Sequence, residues 1–209
     1  MNSELTQKSC ADFAQVLASS APVPGGGAAA LTGALGATLG SMVANLTVGR
    51  KAYAQYEEDL RSILERGEAL RTGLLALVER DAAGFAPLAR AYAIPKDDPA
   101  RPETLEAATL AACEAPLEMM RLCGQAIQLL EELLEKGSVT LVSDVGCGAL
   151  CCGAALESAG MNIFVNTRTL RDRQAASRLD AQTDVLLREY LPRARQVADE
   201  ATRRVRREG

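Results

Sequence analysis

The chain carries no charged residue between Asp12 and Arg50, a segment of 37 positions from 13 to 49. Within this uncharged segment lies the sequence PVPGGG at 22–27, followed by a run rich in alanine and glycine. Prolines end a preceding helix, and glycines leave the backbone without side chains in front of it. A helix that begins here is expected to be buried on almost every side, because no part of its surface carries charge.

The start of this helix predicts a ligand-binding loop, formed by Pro24, Gly25, Gly26 and Gly27. The first backbone N–H groups of a helix have no partner within the helix, so they can bind a negative or electron-rich ligand group. The loop lacks the Gly-Lys-Ser/Thr ending of a P-loop, which argues against a nucleotide.

The other end of the uncharged segment predicts a second candidate cluster. Asn45 ends the apolar helix, and Arg50 and Lys51 are the first cations after it. These residues are either an ordinary capped helix end with solvated cations or part of a ligand site.

Composition restricts the chemistry that the protein can perform. The 209 residues include no histidine, which removes the commonest metal ligand and the usual general base. Acid–base chemistry must therefore come from Asp, Glu, Lys, Tyr or Cys. The six cysteines show no CxxC spacing, so we expect no metal site but buried free thiols in a reducing cytoplasm.

The charge distribution argues against nucleic acid and membrane as partners. Residues 168–209 hold 11 arginines and 7 acids, but no aromatic residues interleave with the basic end at 203–207, so a solvated helix end is favoured over nucleic-acid binding. The uncharged segment is long enough to span a membrane, but prolines and glycines interrupt it and alanine dominates it. We therefore expect a soluble central helix, with a membrane-associated bundle as an alternative.

Periodicity predicts an all-α bundle of long, close-packed helices in one domain over 1–209. The expected helices are a short one from Ser9 to Ser20 and longer ones at 27–48, 56–92, 103–136, 144–166 and 169–207. Pro116 is expected to kink the helix at 103–136, which Gly137 caps, and Pro192 to break or kink the last helix. An extended connector is expected at 138–143, and its Ser143 caps the next helix. The helices at 27–48 and 144–166 are nearly uncharged, so burial of their small-residue surfaces predicts a homodimer.

Four polar side chains stand out on the predicted helices. Asp81 interrupts an apolar stripe on the helix 56–92, where a carboxylate is costly unless paired, so it is either a buried interhelical hydrogen bond or a functional acid. Asp144 lies in a first helical turn, where acids are ordinary, but small residues surround it. Asn162 and Asn166 share the face of Asp144 and predict either interhelical hydrogen bonds or ligand recognition.

Distance separates these candidates into two groups. Asp144 and Asn162 lie about 27 Å apart along a straight helix, and so do Gly27 and Asn45. Either the ligand is long, or two ends of the bundle or two subunits contribute. If the two uncharged helices pack antiparallel, Asp144 approaches Asn45 and Lys51, while the glycine loop approaches the asparagines.

Taken together, these segments resemble the formiminotransferase-cyclodeaminase C-terminal domain family, which includes stand-alone methenyltetrahydrofolate cyclohydrolases. The matching stretches are SAPVPGGG at 20–27, GSMVANLTVGRKAY at 40–53, Asp81 with Phe85, EKGSVTLVSD at 135–144 and AGMNIFVN at 159–166. They follow one another in the family's order, and jointly they are specific.

The resemblance implies an all-helical homodimer that binds tetrahydrofolate derivatives and acts at the carbon bridging N5 and N10. The expected reaction is hydrolysis of 5,10-methenyl- to 10-formyltetrahydrofolate. The alternatives are closure of 5-formiminotetrahydrofolate with loss of ammonia, and folate binding without turnover. The expected partner is a folate substrate, including polyglutamylated forms, and the cationic carbon of the methenyl group requires neither metal nor covalent nucleophile.

For this reaction we hypothesise a role for each candidate residue. Asp144 would be the acid–base group, Lys51 would orient it or donate a proton, and Asp81 would recognise pterin donors or steady the cation. Asn45, Asn162 and Asn166 would supply hydrogen bonds to the ligand or across a dimer. Arg50 and the loop from Pro24 to Gly27 would complete the substrate contacts.

Overall fold

The computed structural model describes residues 5–20 and 25–206, and every regular element within these ranges is helical. The helices are α1 (Cys10–Leu17), α2 (Gly26–Asn45), α3 (Glu57–Tyr92), α4 (Arg101–Ala111), α5 (Glu114–Lys136), α6 (Val142–Thr167) and α7 (Arg173–Arg206). Short 3-10 turns occupy Leu5–Gln7, Lys51–Tyr56 and Val139–Leu141. The all-α prediction is confirmed.

The two uncharged helices α2 and α6 pack side by side and antiparallel at the centre of the fold. Gly33 of α2 faces Ala155 of α6, and Gly36 faces Gly148 and Cys152. Residue numbers therefore increase along α2 as they decrease along α6. A Cβ added to Gly36 would lie 2.5 Å from the Cys152 sulfur and 2.8 Å from the Gly148 carbonyl oxygen. The small residues therefore allow the two backbones to approach closely, as their spacing predicted.

The charged helices enclose this central pair. α3 runs antiparallel to α2, with Leu74 against Gly33 and Val78 against Gly27. α7 runs antiparallel to α6, with Ala194 against Gly153, and α5 fills the space beneath both central helices. The largest fully buried side chains come mainly from α3 and α5, and include Leu60, Leu74, Met119, Ile127 and Leu130.

The predicted fourth helix at 103–136 is wrong in one respect, because it is two helices. α4 ends at Ala111, and α5 begins at Glu114 with Pro116 in its first turn. Proline has no N–H and its ring clashes with the carbonyl four residues before it, here that of Ala112, so α4 ends at Ala111 rather than bending through Pro116. In the first turn of α5 the missing proline N–H has no cost, because backbone N–H groups at this position have no partner within the helix.

The connector at 138–143 also differs from its prediction. Residues Val139–Leu141 form a 3-10 turn, and Leu141 precedes α6 as its N-cap without a side-chain hydrogen bond. The expected cap, Ser143, lies inside the helix. Gly137 caps α5 as predicted, in an extended rather than left-handed conformation (φ −79°, ψ 160°). α7 runs unbroken through Pro192.

α2 and α6 each leave one side uncovered, and together these sides form an apolar face. Its most exposed large side chains are Leu35, Leu46, Leu150, Met161 and Val165, with exposed fractions from 46% to 63%. Both helices are long and apolar enough to cross a membrane by length and composition, with 56% and 50% of the tested windows buried within the protein. On their other sides α2 packs against α3 and α6 against α7, two helices that carry many charged residues.

Candidate functional site

Asp81 lies against the start of α2. It comes from the middle of α3, is only 6% exposed, and contacts Gly26 so closely that any side chain there would overlap the carboxylate. The backbone N–H of Gly27 donates a hydrogen bond to this carboxylate. Oδ2 has no hydrogen-bond partner among the described residues. The predicted position of Asp81 on a buried stripe is confirmed.

Burial changes the chemistry of this carboxyl group. Loss of water raises the pKa of Asp81 from its ordinary value of 3.8 to about 6, against the opposing effect of the Gly27 hydrogen bond. The carboxylate of Asp81 thus already serves as a hydrogen-bond acceptor at the first turn of α2. An anion that approached this turn would be repelled when Asp81 is ionised. A ligand that donates hydrogen bonds to Oδ2 suits this end of α2 better.

Only part of the predicted glycine loop can be placed. Pro24 lies outside the described residues. Gly25 is the exposed N-cap of α2, while Gly26 and Gly27 are buried against α3. Substrate binding by the loop stays a prediction.

The opposite end of α2 leads into a turn that presents two cations. Gly49 adopts a left-handed conformation with φ 76°, and its N–H donates to Glu57 at 2.8 Å. No atom would obstruct a Cβ at Gly49, so the backbone conformation alone requires glycine. Arg50 and Lys51 follow, both exposed, and neither forms an ion pair with a described residue.

This turn is fastened to the segment between α5 and α6. The Ser138 N–H donates to Thr47 Oγ1 at 3.0 Å, and the Val139 N–H donates to the Tyr53 hydroxyl at 3.0 Å. Arg50 donates to Ser138 Oγ at 3.2 Å. The α2–α3 connection and the start of α6 thereby form one end of the bundle.

Asp144 stands in the first turn of α6 at this end. Its side chain is half-buried, and it makes no hydrogen bond or ion pair with a described residue. Asn45 is exposed and likewise has no side-chain hydrogen bond there. Lys51 and Asp144 are not ion-paired, so both charged groups are free to contact a ligand.

The two asparagines lie at the other end of α6, level with the start of α2. Asn162 is half-buried and its amide donates to the Ser158 carbonyl at 2.8 Å. Asn166 hydrogen-bonds the thiol of Cys113, whose pKa burial raises to about 11. Ligand roles for both asparagines stay predictions.

The structure separates the two predicted catalytic acids. Gly26 touches Asp81, whereas Gly36 touches Gly148, one turn beyond Asp144. Along the axis of α2 the carboxyl groups are therefore about 20 Å apart, at a rise of about 1.5 Å per residue. Within one chain Asp144 groups with Asn45, Arg50 and Lys51, and Asp81 does not.

Cysteines and acids form no evident metal centre in the ranges 5–20 and 25–206. No three Cys, Asp or Glu side chains converge there in an arrangement that could hold an ion, and the absence of metal stays a prediction. All six cysteines are free; Cys10 and Cys147 are exposed, so the expectation of buried thiols holds only in part.

Thr47, Tyr53 and Ser138 were not identified individually from the sequence. They lie in two of the stretches that carry the family resemblance, 40–53 and 135–144. Nothing in the local pattern shows that these stretches meet, because the bonds between them join residues 86 to 91 positions apart.

Known proteins share this fold from end to end. The crystal structure of formiminotetrahydrofolate cyclodeaminase from Thermotoga maritima matches with a TM-score of 0.82 and 25% identity, covering 95% of this chain and 100% of that one. The fold is therefore that of a helical cyclodeaminase-type domain. The chain belongs to the formiminotransferase-cyclodeaminase family, whose model matches residues 9–185.

Two relatives differ in how much of their length is matched. Methenyltetrahydrofolate cyclohydrolase of Methylorubrum extorquens is 41% identical over 182 residues, which cover 85% of this chain and 88% of the relative. Formimidoyltransferase-cyclodeaminase of Mus musculus is 28% identical over 173 residues, which cover 80% of this chain but only 32% of the relative.

Proposed function

We propose that the protein is a methenyltetrahydrofolate cyclohydrolase, which hydrolyses 5,10-methenyltetrahydrofolate to 10-formyltetrahydrofolate. The observation that carries this proposal is the 41% identity with a cyclohydrolase that is matched over nearly its whole length. The formimidoyltransferase-cyclodeaminase from mouse is matched over about a third of its length only.

The free carboxylate of Asp144 suits the chemistry of this reaction. The bridging methenyl carbon is cationic, so a water oxygen bonds to it as a base accepts the proton. Asp144 accepts that proton and returns it to N5 as the carbon–N5 bond breaks. The formyl group stays on N10, and the hydroxyl proton of the intermediate leaves, so one proton is released overall.

Lys51 and Asn45 would assist at the same end of the bundle. The exposed ammonium group of Lys51 can orient the Asp144 carboxylate or hydrogen-bond the substrate. Asn45 offers both a donor and an acceptor. Arg50 and Lys51 also provide cations for the carboxylates of a folate, including a polyglutamylated one.

Asp81 suits the pterin ring, which presents an amino group and a ring N–H side by side. Its Oδ2 lacks a donor among the described residues, and such a pair of donors would satisfy it. The reacting carbon is bonded to N5 of the pterin, however, so the pterin cannot lie about 20 Å from Asp144. Both roles are compatible only if the two acids come from different chains.

We therefore infer that a second copy of the chain covers the apolar face. The face is about 30 Å long and about 20 Å wide, from the length of α2 and the diameters of two helices. Roughly 600 Å² would be buried on each copy, at the lower end of stable interfaces. A two-fold axis across the helices would bring the α2 start of one copy towards the α6 start of the other.

The second candidate function is formimidoyltetrahydrofolate cyclodeaminase, favoured by the structural match with the Thermotoga maritima enzyme. In that reaction N10 attacks the formimino carbon and ammonia leaves. A cytoplasmic location and independence from metal, membrane and nucleic acid accompany both proposals as predictions.

Two assays on the purified protein distinguish these functions. The first follows the loss of methenyl absorbance, corrected for spontaneous hydrolysis, and the second measures ammonia released from 5-formiminotetrahydrofolate. We expect rapid methenyl hydrolysis and little ammonia release. Ammonia release with a higher kcat/KM than hydrolysis would instead assign a cyclodeaminase, and binding of folate with neither activity would leave a binding protein.

A further inference from the structure

The orientation of Asp144 depends on residues that lie outside its own helix. No described residue hydrogen-bonds its carboxylate, and Leu141, the N-cap residue of α6, makes no side-chain hydrogen bond. The start of α6 is therefore held by the turn before it, in which the Leu141 N–H donates to the Ser138 carbonyl at 2.9 Å.

Arg50 bonds a side chain of that turn, whereas two other side chains bond its backbone N–H groups. Thr47 is fully buried, and its hydroxyl accepts the Ser138 N–H while it donates to the Val43 carbonyl at 2.6 Å. Tyr53 is half-buried, and its hydroxyl accepts the Val139 N–H. Both acceptors satisfy backbone donors that would otherwise lose their partners at the end of the bundle.

The same two side chains flank the candidate cation. Thr47 and Tyr53 lie four residues before and two residues after Lys51, and the Tyr53 N–H donates to the Arg50 carbonyl at 2.9 Å. A shift of either side chain would move Lys51 relative to Asp144. Catalysis is sensitive to such shifts, since a misplacement of about 1 Å can cost about 100-fold in rate.

We propose that Thr47 and Tyr53 are positioning residues that set the relative placement of Lys51 and Asp144. This inference rests on the proposed hydrolysis of methenyltetrahydrofolate. Neither side chain needs to touch the substrate, because each acts through the backbone of residues 138–139.

Three variants test the hydrogen bonds themselves. Thr47→Val and Tyr53→Phe each remove one acceptor and keep the shape of the side chain, whereas Thr47→Ser keeps the hydroxyl. By hydrogen–deuterium exchange, the Ser138 amide should exchange at least about 10-fold faster in Thr47→Val, and the Val139 amide in Tyr53→Phe, as expected for a lost bond of about 1.4 kcal/mol. Thr47→Ser should behave as the wild type. Unchanged exchange in the first two variants would overturn the inference.

Kinetics test whether the bonds serve the reaction. We expect kcat to fall roughly 10- to 100-fold in Thr47→Val and Tyr53→Phe, with KM within about 3-fold and recovery in Thr47→Ser. In an Asp144→Asn background, Tyr53→Phe should add less than about 2-fold, because both changes affect one unit. Independent, multiplicative losses, or an unchanged kcat, would contradict a positioning role.

Failure of the proposed function would be visible separately. In that case the wild type hydrolyses no methenyltetrahydrofolate, even though its two amides are protected. Failure of the positioning role alone leaves an active wild type and equally active variants.

Discussion

At the scale of single residues, Asp81 holds the one buried side-chain oxygen of the described residues that has no hydrogen-bond partner. A carboxylate that is 6% exposed and has one oxygen without a donor destabilises the folded state when it is ionised. Its burial was predictable, because it interrupts a run of apolar positions spaced by threes and fours. Its contact with Gly26 could not be predicted from the sequence, because that contact joins residues 55 positions apart.

Replacement of Asp81 by asparagine should stabilise the protein at neutral pH. Because the pKa of Asp81 is raised to about 6 in the folded state, the native protein keeps a proton that the unfolded chain loses above about pH 4. Wild-type stability therefore loses this contribution as pH rises from about 4 to 6. Asparagine does not titrate, so the variant should gain up to roughly 3 kcal/mol over the wild type by pH 7.5.

Urea unfolding at pH 4 and pH 7.5 measures this difference. The variant should gain stability relative to the wild type between the two pH values while it loses activity on folate. A difference that stays constant over this interval would show that Asp81 is not a buried acid with a raised pKa.

At the scale of helices, the spacing of small residues determines how α2 and α6 pack. The sequence predicted both helices and their burial, because neither has a charged side to place in water. It did not show that the predicted fourth helix is interrupted before Pro116, since a proline can either kink a helix or end it. The antiparallel pairing of α2 and α6 was stated only as a condition, because periodicity within a helix does not specify the direction of its neighbour.

Substitution at Gly36 tests this close packing. In Gly36→Ala the added methyl group would meet the Gly148 backbone at 2.8 Å, which the helix cannot avoid without moving. We expect a loss of roughly 2–3 kcal/mol in the free energy of unfolding. Gly84→Ala is the matched control, because its methyl group would lie 3.8 Å from the nearest atom, and it should gain about 0.5–1 kcal/mol. Equal effects of the two substitutions in denaturant unfolding would refute the packing argument.

At the scale of the whole molecule, the separation of the two acids is the main consequence of the fold. Sequence distances along straight helices already showed that one small pocket could not contain every candidate. The structure assigns Asp144, Asn45 and Lys51 to one end and Asp81 to the other. The arrangement of two copies lies beyond the sequence, because an apolar face does not specify the direction of a symmetry axis.

A substitution on the apolar face should produce a monomer with little activity. Leu35 is 56% exposed, so Leu35→Lys would place a charge in the proposed interface without disturbing the core. Sedimentation should show a dimer for the wild type and a monomer for the variant, with unchanged helical content by circular dichroism. A wild-type monomer with full activity would contradict the proposed dimer.

Mixing two inactive variants tests whether the acids come from different chains. If Asp81→Asn and Asp144→Asn subunits exchange, half of the dimers should be mixed, and each mixed dimer should contain one intact site. About a quarter of the wild-type activity should then return, by the statistics of two equivalent sites. A mixture without activity, despite demonstrated subunit exchange, would place both acids in one chain.

The most direct test of the proposed function compares two aspartates. Asp144→Asn should lower kcat for methenyl hydrolysis by roughly 100-fold or more, as expected for loss of an acid–base group. Asp184→Asn removes an exposed acid from α7, outside the apolar face, and should stay within about 2-fold of the wild type. If Asp144→Asn instead keeps more than about half of the wild-type rate, Asp144 is not the acid–base group.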